Sequence, residues 1–447
     1  MIQNIVLAAV FVLTLAGGYA WSSPADPRDR SLDSLGTAFN SSQGSADFNA
    51  SAATLDDYLS YAAAQSPALR AAFYRWSVLV EKSAYAGVMP NPVISYMYFV
   101  ENVETRVGPQ EQRVSFRQAF PWFGTLGTKK DIASQEANAT YQKFQSDKFK
   151  LFYEVKSAYY EYYFLGRDLA ITRENLELLK FWESIARAKY RVALKKHPDV
   201  IKAQVELGKL EDRVRTLEEM AGPVSARLRA AVNLPDSVQL PLPGTIDIDE
   251  TEWDRTRVIQ EVMIHNPDLA SLRHVIDKEE AGMRLAGKMS RPGFVIGLDY
   301  IQTGEAVNPA MLDSGKDPWM VSVGVSVPIW FGANKARKME AAAKRREAEY
   351  RYADAQNRLK AFAEQVMFDT GDALRKTRLY RDGLVPKAEQ SLNASYTAYQ
   401  AGETDFLNVL DAQRQLLDFQ LQFERSTANL AIGRAKLEML MGRQFDR

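Results

Sequence analysis

The residue types that most often carry out catalysis or bind metal ions are scarce in this chain. It has no cysteine and three histidines, His197, His265 and His274. Without cysteine there is no disulfide, thiolate metal site or cysteine nucleophile. The histidines lack the spacing of metal ligands, and neither a His-Glu-x-x-His pair nor a glycine-rich phosphate loop occurs. The sequence therefore predicts no enzyme, no cofactor and no metal site.

The overall charge gives no reason to expect a polyanionic partner. The chain has 447 residues, with 56 basic and 56 acidic side chains, so its formal net charge is zero. Proteins that bind nucleic acid usually carry a basic excess. We therefore expect no nucleic-acid partner, and we turn to the elements that the chain builds.

The first 20 residues have the pattern of a secretory signal. An apolar run from Ile5 to Leu15 precedes small residues at Gly18 and Ala20, although no lysine or arginine comes before it. An N-terminal membrane anchor is the alternative, but the run is shorter than the ~20 residues of a spanning helix. An extended arm is expected over 21–53, which is rich in Ser, Ala, Asp and Gly. Export without spanning helices leaves the periplasm or the outer membrane as the destination.

Motifs in the first half of the chain return in the second half. Gln65–Leu69 reads QSPAL and His265–Leu269 reads HNPDL, at an offset of 200, and later motifs match in the same order. A constant order indicates a duplicated unit rather than a short solenoid repeat. We expect a first repeat at 54–232, a crossover at 233–251, a second repeat at 252–442 and a tail at 443–447.

Long helices are predicted in both halves. They lie at about 125–195, 199–232, 333–381 and 384–440, and His197-Pro198 separates the first two. A helix of about 70 residues would be a rod of ~105 Å. Within the first of these helices, the steps of four and three that are typical of a coiled coil are made by Leu151, Val155, Ala158, Tyr162, Leu165, Leu169, Thr172, Leu176 and Leu179.

Four segments between the helices alternate apolar and polar residues, as strands do. They lie at about 93–100, 113–120, 293–301 and 320–327. Because this period over 8 to 10 residues is typical of membrane barrels, we expect one apolar set to face lipid. That set is Ile94, Tyr96, Tyr98, Val114, Phe116, Phe294, Ile296, Leu298, Val321, Val323 and Val325. The alternative is a half-buried sheet in a soluble domain, but helices of ~105 Å have no obvious soluble core to cover.

Four strands are too few to close a membrane barrel, since the smallest single-chain barrels have about eight. An open strand edge is not viable in lipid, so several chains must share one barrel. The expected fold class is mainly α with a small β part. Three copies would form a 12-stranded barrel continued by a helical coiled-coil tunnel in the periplasm. The segments 101–112 and 303–318 would be extracellular loops.

Three motifs resemble those of the TolC-type outer-membrane efflux channels. They are the strand-to-helix joints at Pro121–Gly124 and Pro328–Gly332, and the run from Tyr399-x-x-Gly402 to Phe406–Gln413. The resemblance covers about 54–442 and implies a homotrimeric channel in the outer membrane of a Gram-negative bacterium. It also implies docking to a periplasmic adaptor and an inner-membrane pump. Many relatives carry a lipid on a cysteine, a residue that this sequence lacks.

Aromatic residues mark both joints. Trp122, Phe123, Trp330 and Phe331 lie where an interfacial aromatic belt is expected, with core packing as the alternative. A glycine such as Gly124 allows the sharp turn from strand into helix. The joints are therefore predicted to lie at the boundary between the membrane and the periplasm.

The same resemblance implies a gated aperture at the periplasmic end. Asn408 and Asp411 match two acidic aperture positions, the first with an amide in place of a carboxylate. Tyr399 matches a gate tyrosine and Asp199 an acidic site of the first half. Thr404 stands where some relatives have a basic gate residue. The alternative for each carboxylate is a solvated charge near a helix start, where Asp is favoured.

These expectations together predict a passive exit duct of a tripartite efflux system. The loop Glu104–Glu111 is similar to that of the heavy-metal cation subgroup, so metal cations are the expected cargo. Multidrug efflux and type I protein secretion stay as alternatives. A periplasmic coiled-coil adaptor is another, although it would not need two aromatic strand hairpins. Because no ligand cluster is evident, the pump would select the metal.

Overall fold

The computed structural model describes residues 48, 50, 53–191, 197–246, 250–308 and 310–444. The predicted signal sequence, most of the predicted arm and the last three residues of the tail lie outside this part. All the elements below belong to one compact unit, 50–447.

The two halves contain the same order of elements, apart from a π-helical turn in the second. The first half comprises α1 (Leu55–Gln65), α2 (Pro67–Tyr85), β1 (Val93–Val103), β2 (Gln110–Phe120), α3 (Thr125–Arg191) and α4 (His197–Val232). The second comprises α5 (Arg255–His265), α6 (Pro267–Lys288), β3 (Gly293–Thr303), β4 (Trp319–Ser326), α7 (Phe331–Leu379), the π-helical turn Tyr380–Leu384, α8 (Val385–Ala401) and α9 (Phe406–Met441).

Polar caps and prolines set the starts of the short helices. The Thr54 hydroxyl accepts the Asp57 N–H at 3.4 Å, and the Asp57 carboxylate accepts the Thr54 N–H at 2.8 Å, which makes a capping box for α1. Ser66 caps α2 and Asn266 caps α6, each followed by a proline in the first turn. Each proline thus marks the boundary between two consecutive helices.

The second half differs from the prediction of helices at about 333–381 and 384–440. α7 continues through the π-helical turn into α8 without a break. Pro386, in the first turn of α8, has no N–H to donate, and the wider π turn absorbs this irregularity. The break comes after α8 instead, where Gly402 has a left-handed φ of +82°. The predicted division into two helices was therefore wrong in its position.

Most other helices pack against α3, whose 67 residues extend over ~100 Å. α2 and α6 contact its N-terminal part, where Ser271 Oγ donates to the Ala139 carbonyl at 2.8 Å. α4 and α9 contact its C-terminal part, where Gln413 Nε2 donates to Asn175 Oδ1 at 3.0 Å. Eight of the nine predicted seam residues are buried, and Leu151 is half-buried. The coiled-coil seam is confirmed.

The four strands form one antiparallel sheet in the order β1-β2-β3-β4. β1 extends to Val103 and β2 begins at Gln110, so their loop is 104–109, shorter than the predicted 101–112. The loop between β3 and β4 is 304–318. In the described chain, β1 and β4 are the edge strands, each with one unpaired edge.

Candidate functional site: the sheet faces and the aperture end

One face of the sheet is apolar across all four strands. Residues directly opposite each other in an antiparallel sheet lie on the same face. Ile94 lies opposite Phe116, and Leu298 lies between Phe116 and Val321, so these four residues form one row. The other rows on this side, which we call the apolar face, are Tyr96-Val114-Tyr300-Trp319, Gln118-Ile296-Val323 and Phe120-Phe294-Val325, with Tyr98 opposite Gln112. Every predicted lipid-facing residue lies on the apolar face.

The edge strands leave much of the apolar face exposed. Ile94 is 72% exposed, Val321 76% and Val323 72%, and all eight residues of β4 are exposed. Contiguous apolar surface of this kind indicates contact with lipid or with another protein surface. The described part of the chain therefore leaves these apolar side chains of the sheet uncovered.

The opposite face of the sheet carries most of its charged and hydroxyl side chains, among them an ion pair. Arg113 Nη2 lies 2.7 Å from Asp299 Oδ1, and Asp299 is only 2% exposed. A carboxylate at that depth needs such a partner. Ser115 lies opposite Asp299. Gly297 lies opposite Ser322, where an added Cβ would collide with Ser322 Oγ. The strands thus have one apolar and one polar face, as the alternation predicts.

The first strand-to-helix joint extends the apolar face. Trp122 stacks on Phe294 with 6.3 Å between ring centroids, and the Phe123 ring lies 6.2 Å from the same residue. Phe123 is 78% exposed, and Trp330 at the second joint is 74% exposed. Gly124, with a φ of +72°, makes the turn into α3. Large aromatic side chains thus lie beside the apolar face at the end nearest the helices. Their place in an interfacial belt stays a prediction.

Four of the predicted aperture residues meet where α8 turns into α9. Tyr399 belongs to the last turn of α8, Thr404 to the connecting loop, and Asn408 and Asp411 to the start of α9. Asn408 Nδ2 donates to Thr404 Oγ1, and both Asn408 and Asp411 are exposed. Asp199 belongs to the first turn of α4, and its side chain lies outside the described part.

Tyr399 is a core residue of this hairpin. It is 1% exposed, and its ring centroid lies 5.3 Å from that of Phe406, which is fully buried. Leu392 and Leu410 pack in the same cluster. The Tyr399 ring therefore packs α8 against α9, and a part for its hydroxyl in gating stays a prediction.

An ion-pair cluster beside Asp411 was not anticipated from the sequence. Arg414 Nη1 lies 3.0 Å from Asp411 Oδ1, and Arg414 Nη2 donates to Glu206 Oε1 of α4. Lys209 Nζ lies 2.9 Å from the same Glu206 oxygen. Hydrogen bonds from Arg414 and Lys209 hold the pKa of the buried Glu206 carboxyl below its usual value, against the effect of burial. We call these four residues the aperture cluster. It ties α4 to α9 and compensates the charge of Asp411.

Only part of the aperture cluster could have been found from the sequence. The spacings of Asp411 with Arg414 and of Glu206 with Lys209 are both i,i+3, which places each pair on one helix face. The contact between Arg414 and Glu206 crosses two helices and depends on how they are aligned. No pattern within a single segment reports that alignment.

Polar contacts join α3 to α9 along their shared length. Tyr163 Oη donates to Glu424 Oε2 at 2.6 Å, and Arg167 Nε donates to Glu424 Oε1 at 2.8 Å. Burial and the bond to Glu424 raise the pKa of Tyr163, so it stays a donor. Further contacts of the same kind, which together we call the α3–α9 polar series, are Lys156–Glu438, Glu161–Arg425 and Asn175–Gln413. Glu424 is 4% exposed, and such a buried carboxylate is stable only when it is paired.

The described residues contain neither a membrane-spanning helix nor a metal-binding cluster. Among the helices seen here, none is both long and apolar enough to cross a membrane. Across the same ranges, no three acidic or histidine side chains are grouped as a metal ion would require. His274 Nδ1 lies 2.9 Å from Gln135 Oε1, and His265 Nε2 lies 3.4 Å from Glu261 Oε2, so these histidines make local contacts.

The sequence is similar to known export proteins. Residues 258–443 match the family model described as outer membrane efflux protein. The pyoverdine export outer membrane protein OpmQ of Pseudomonas putida is 22% identical over 333 residues, which is 73% of this chain and 70% of the relative. The cobalt-zinc-cadmium resistance protein CzcC of Cupriavidus metallidurans is 22% identical over 380 residues, 83% of this chain and 85% of the relative.

Solved structures share the fold. The outer membrane protein VceC of Vibrio cholerae superposes with a TM-score of 0.67 at 16% identity, over 88% of this chain and 97% of that chain. The outer-membrane channel OprN gives a TM-score of 0.71 at 17% identity, over 87% and 89%. CusC, whose structures concern folding and transmembrane channel formation, gives 0.69 at 14% identity, over 87% and 92%. OprN is described as an outer-membrane channel, and this chain shares the fold of these three structures.

Proposed function

We propose that this chain is an outer membrane efflux protein and the exit duct of a tripartite efflux system whose other parts are a periplasmic adaptor and an inner-membrane pump. The sheet is the observation that supports this most strongly. Among the described residues this sheet has one apolar face and two unpaired edges, and backbone groups in lipid must all be paired. A sheet of this kind becomes viable in a membrane when its edges pair with those of other copies.

Three copies would complete the channel. β4 of one copy would pair with β1 of the next and give 12 strands.

Exposed apolar side chains on α2 and α7 support the same arrangement. Tyr74, Val78 and Tyr85, 55%, 64% and 66% exposed, share one face of α2. Tyr350 and Phe368, 76% and 68% exposed, are five turns apart on one face of α7. Neighbouring copies could bury both stripes.

The aperture in this proposal lies at the α8–α9 hairpin. Three copies of Asn408 and Asp411 would surround it, since both side chains are exposed beside the turn. A ring of carboxylates favours cations. Asp199 would belong to the same constriction, as the family resemblance implies. Tyr399 would act through the packing of α8 against α9, because its ring is buried.

Heavy-metal cations are the cargo we propose. The similarity to CzcC, a cobalt-zinc-cadmium resistance protein, covers 83% of this chain. The similarity to OpmQ, named for pyoverdine export, covers 73% and makes an organic solute the second candidate. Because no metal-ligand group occurs among the described residues, the pump rather than the duct would choose the cargo.

A deletion strain tests this proposal. We expect lower tolerance of zinc, cobalt and cadmium, with tolerance of dyes and detergents unchanged, and restoration by the parent gene. The purified protein should run as a heat-sensitive trimer and conduct ions in planar bilayers. Loss of dye tolerance with intact metal tolerance would favour the organic cargo, and a soluble monomer that does not conduct would exclude the duct.

A further inference from the structure

We propose that each copy binds the headgroup of an anionic phospholipid in a cavity at the second strand-to-helix joint. The cavity has a volume of about 620 Å³ and lies between the end of α6 and the start of α7. We call it the joint cavity. Its cationic lining residues are Arg291, Lys335 and Lys338, and its apolar ones include Val327, Pro328 and Phe331. The inference rests on the proposed membrane position of the apolar face.

Among the described residues, the lysines of the joint cavity have no ion-pair partner, unlike cations further along α7. Lys335 and Lys338 are i,i+3 on α7, so they point to the same side of the helix, and both are exposed. Within the described ranges neither makes an ion pair. Further along the same helix, cations are paired one turn away: Lys344 lies 2.7 Å from Glu340 and Arg351 2.7 Å from Glu347. The start of α7 therefore presents two uncompensated charges.

Two other features add positive potential at the same place. Arg291 lines the cavity, and its guanidinium carbon lies 6.0 Å from the Trp122 ring centroid. The N-terminus of α7, which has no side-chain cap, contributes the positive end of the helix dipole. An anion in the cavity would thus meet three cationic side chains and a helix N-terminus, whereas a cation would be repelled.

The apolar wall of the cavity selects a lipid over a soluble anion. Val327 follows β4 and continues the alternation of Val323 and Val325, so it lies on the side of the apolar face. Val327 is 65% exposed and Phe331 78% exposed. Inorganic phosphate would use only the charged rim of the cavity. A phospholipid would set its phosphate on the rim and its acyl chains along the wall and the apolar face.

The test compares lipid binding by full-length variants. Purified trimer in nanodiscs or detergent is titrated with phosphatidylglycerol and, separately, with phosphatidylcholine, and bound lipid is counted by native mass spectrometry. Removing a charge near the membrane surface lowers anionic-lipid affinity about fivefold, so K335Q with K338Q should lower it roughly 25-fold. The control K344Q, on the same helix but outside the cavity, should bind as the parent does. A double arginine variant should also bind normally, because it keeps both charges.

Four outcomes would overturn the lipid proposal. They are unchanged phosphatidylglycerol binding by the double glutamine variant, equal binding of the two lipids, and displacement of lipid by millimolar inorganic phosphate. The fourth is cross-linking of a photoreactive side chain at Met339 to another copy, which would mean that another copy fills the cavity. Conductance of the parent is recorded on the same preparation. A parent that binds lipid without conducting would refute the duct and leave the lipid site standing.

Discussion

A charge placed on the apolar face tests the membrane assignment most directly. Val323 lies near the middle of β4, is 72% exposed and belongs to the apolar face opposite Ile296. Ser322 is its neighbour in the chain and lies on the polar face opposite Gly297. Val323→Arg and Ser322→Arg therefore add the same group one residue apart, on opposite sides of the sheet.

The expected difference between the two variants is large. An arginine on the lipid face of a barrel costs about 2–4 kcal/mol near the midplane, whereas one on the water-filled side costs little. Three copies of Val323→Arg would therefore destabilise the trimer by about 6–12 kcal/mol if the effects add. That is comparable to the whole stability of many folded domains.

Outer-membrane fractions of both variants are examined for the heat-sensitive trimer, and the purified trimers are unfolded in urea. Val323→Arg should leave little or no trimer, and Ser322→Arg should resemble the parent. Equal stability of the two variants, or a greater loss from Ser322→Arg, would refute the assignment of the apolar face to lipid. Circular dichroism of each monomer separates failure to insert from failure to fold.

Three further results are expected. Arg414→Gln should increase cation over anion preference in planar bilayers and Asp411→Asn should decrease it, because the guanidinium compensates that carboxylate; equal reversal potentials would place the constriction elsewhere. The pKa of Glu206 is lowered in the folded protein, so its carboxylate stabilises the fold fully above the ordinary pKa of 4.5. This contribution is lost as pH falls through the lowered pKa, so Glu206→Gln should flatten the acid limb of a curve of stability against pH. Cysteines at Glu104 and Asp313, both exposed in strand-connecting loops, should react with an impermeant thiol reagent on intact cells, and silence at both sites would contradict the topology.

The strands were predictable because their signal is local. Alternation with a period of two fixes which side chains share a face, and the observed register puts the predicted residues on one side. The ends of the strands were harder to predict from the sequence. β1 continues through Glu101 and β2 begins at Gln110, polar residues that read as loop in a single sequence.

The helix break in the second half was misplaced because two local signals competed. Asp382-Gly383 and Pro386 suggest an interruption, yet the helix continues there through a π-helical turn. Gly402 is the residue that stops it, since its left-handed backbone ends α8. Packing of α7 and α8 against α9 outweighs the weak tendency of these residues to interrupt a helix. Helix propensities of single residues carry no information about that packing.

The grouping of the predicted aperture residues at one turn could be foreseen, whereas the charges that surround them could not; their place at an aperture stays a prediction. The family resemblance led to Thr404, Asn408 and Asp411, which lie together at one turn. The compensating Arg414 and its bond to Glu206 depend on the alignment of α4 with α9. Charges on separate helices become an ion pair only once the fold has set that alignment.

The α3–α9 polar series has a mechanical consequence. Sliding one helix along the other by a single turn, 5.4 Å, would unpair its five contacts at once. It would leave four buried side chains, Tyr163, Asn175, Gln413 and Glu424, without partners and away from water. At about 1–3 kcal/mol for each buried polar group left unpaired, the penalty is about 4–12 kcal/mol. The two helices therefore move together as a rigid pair that does not slide. In the proposed trimer, any widening of the channel must come from tilting these rigid helix pairs against one another, with the bending confined to the turns at the ends of the helices.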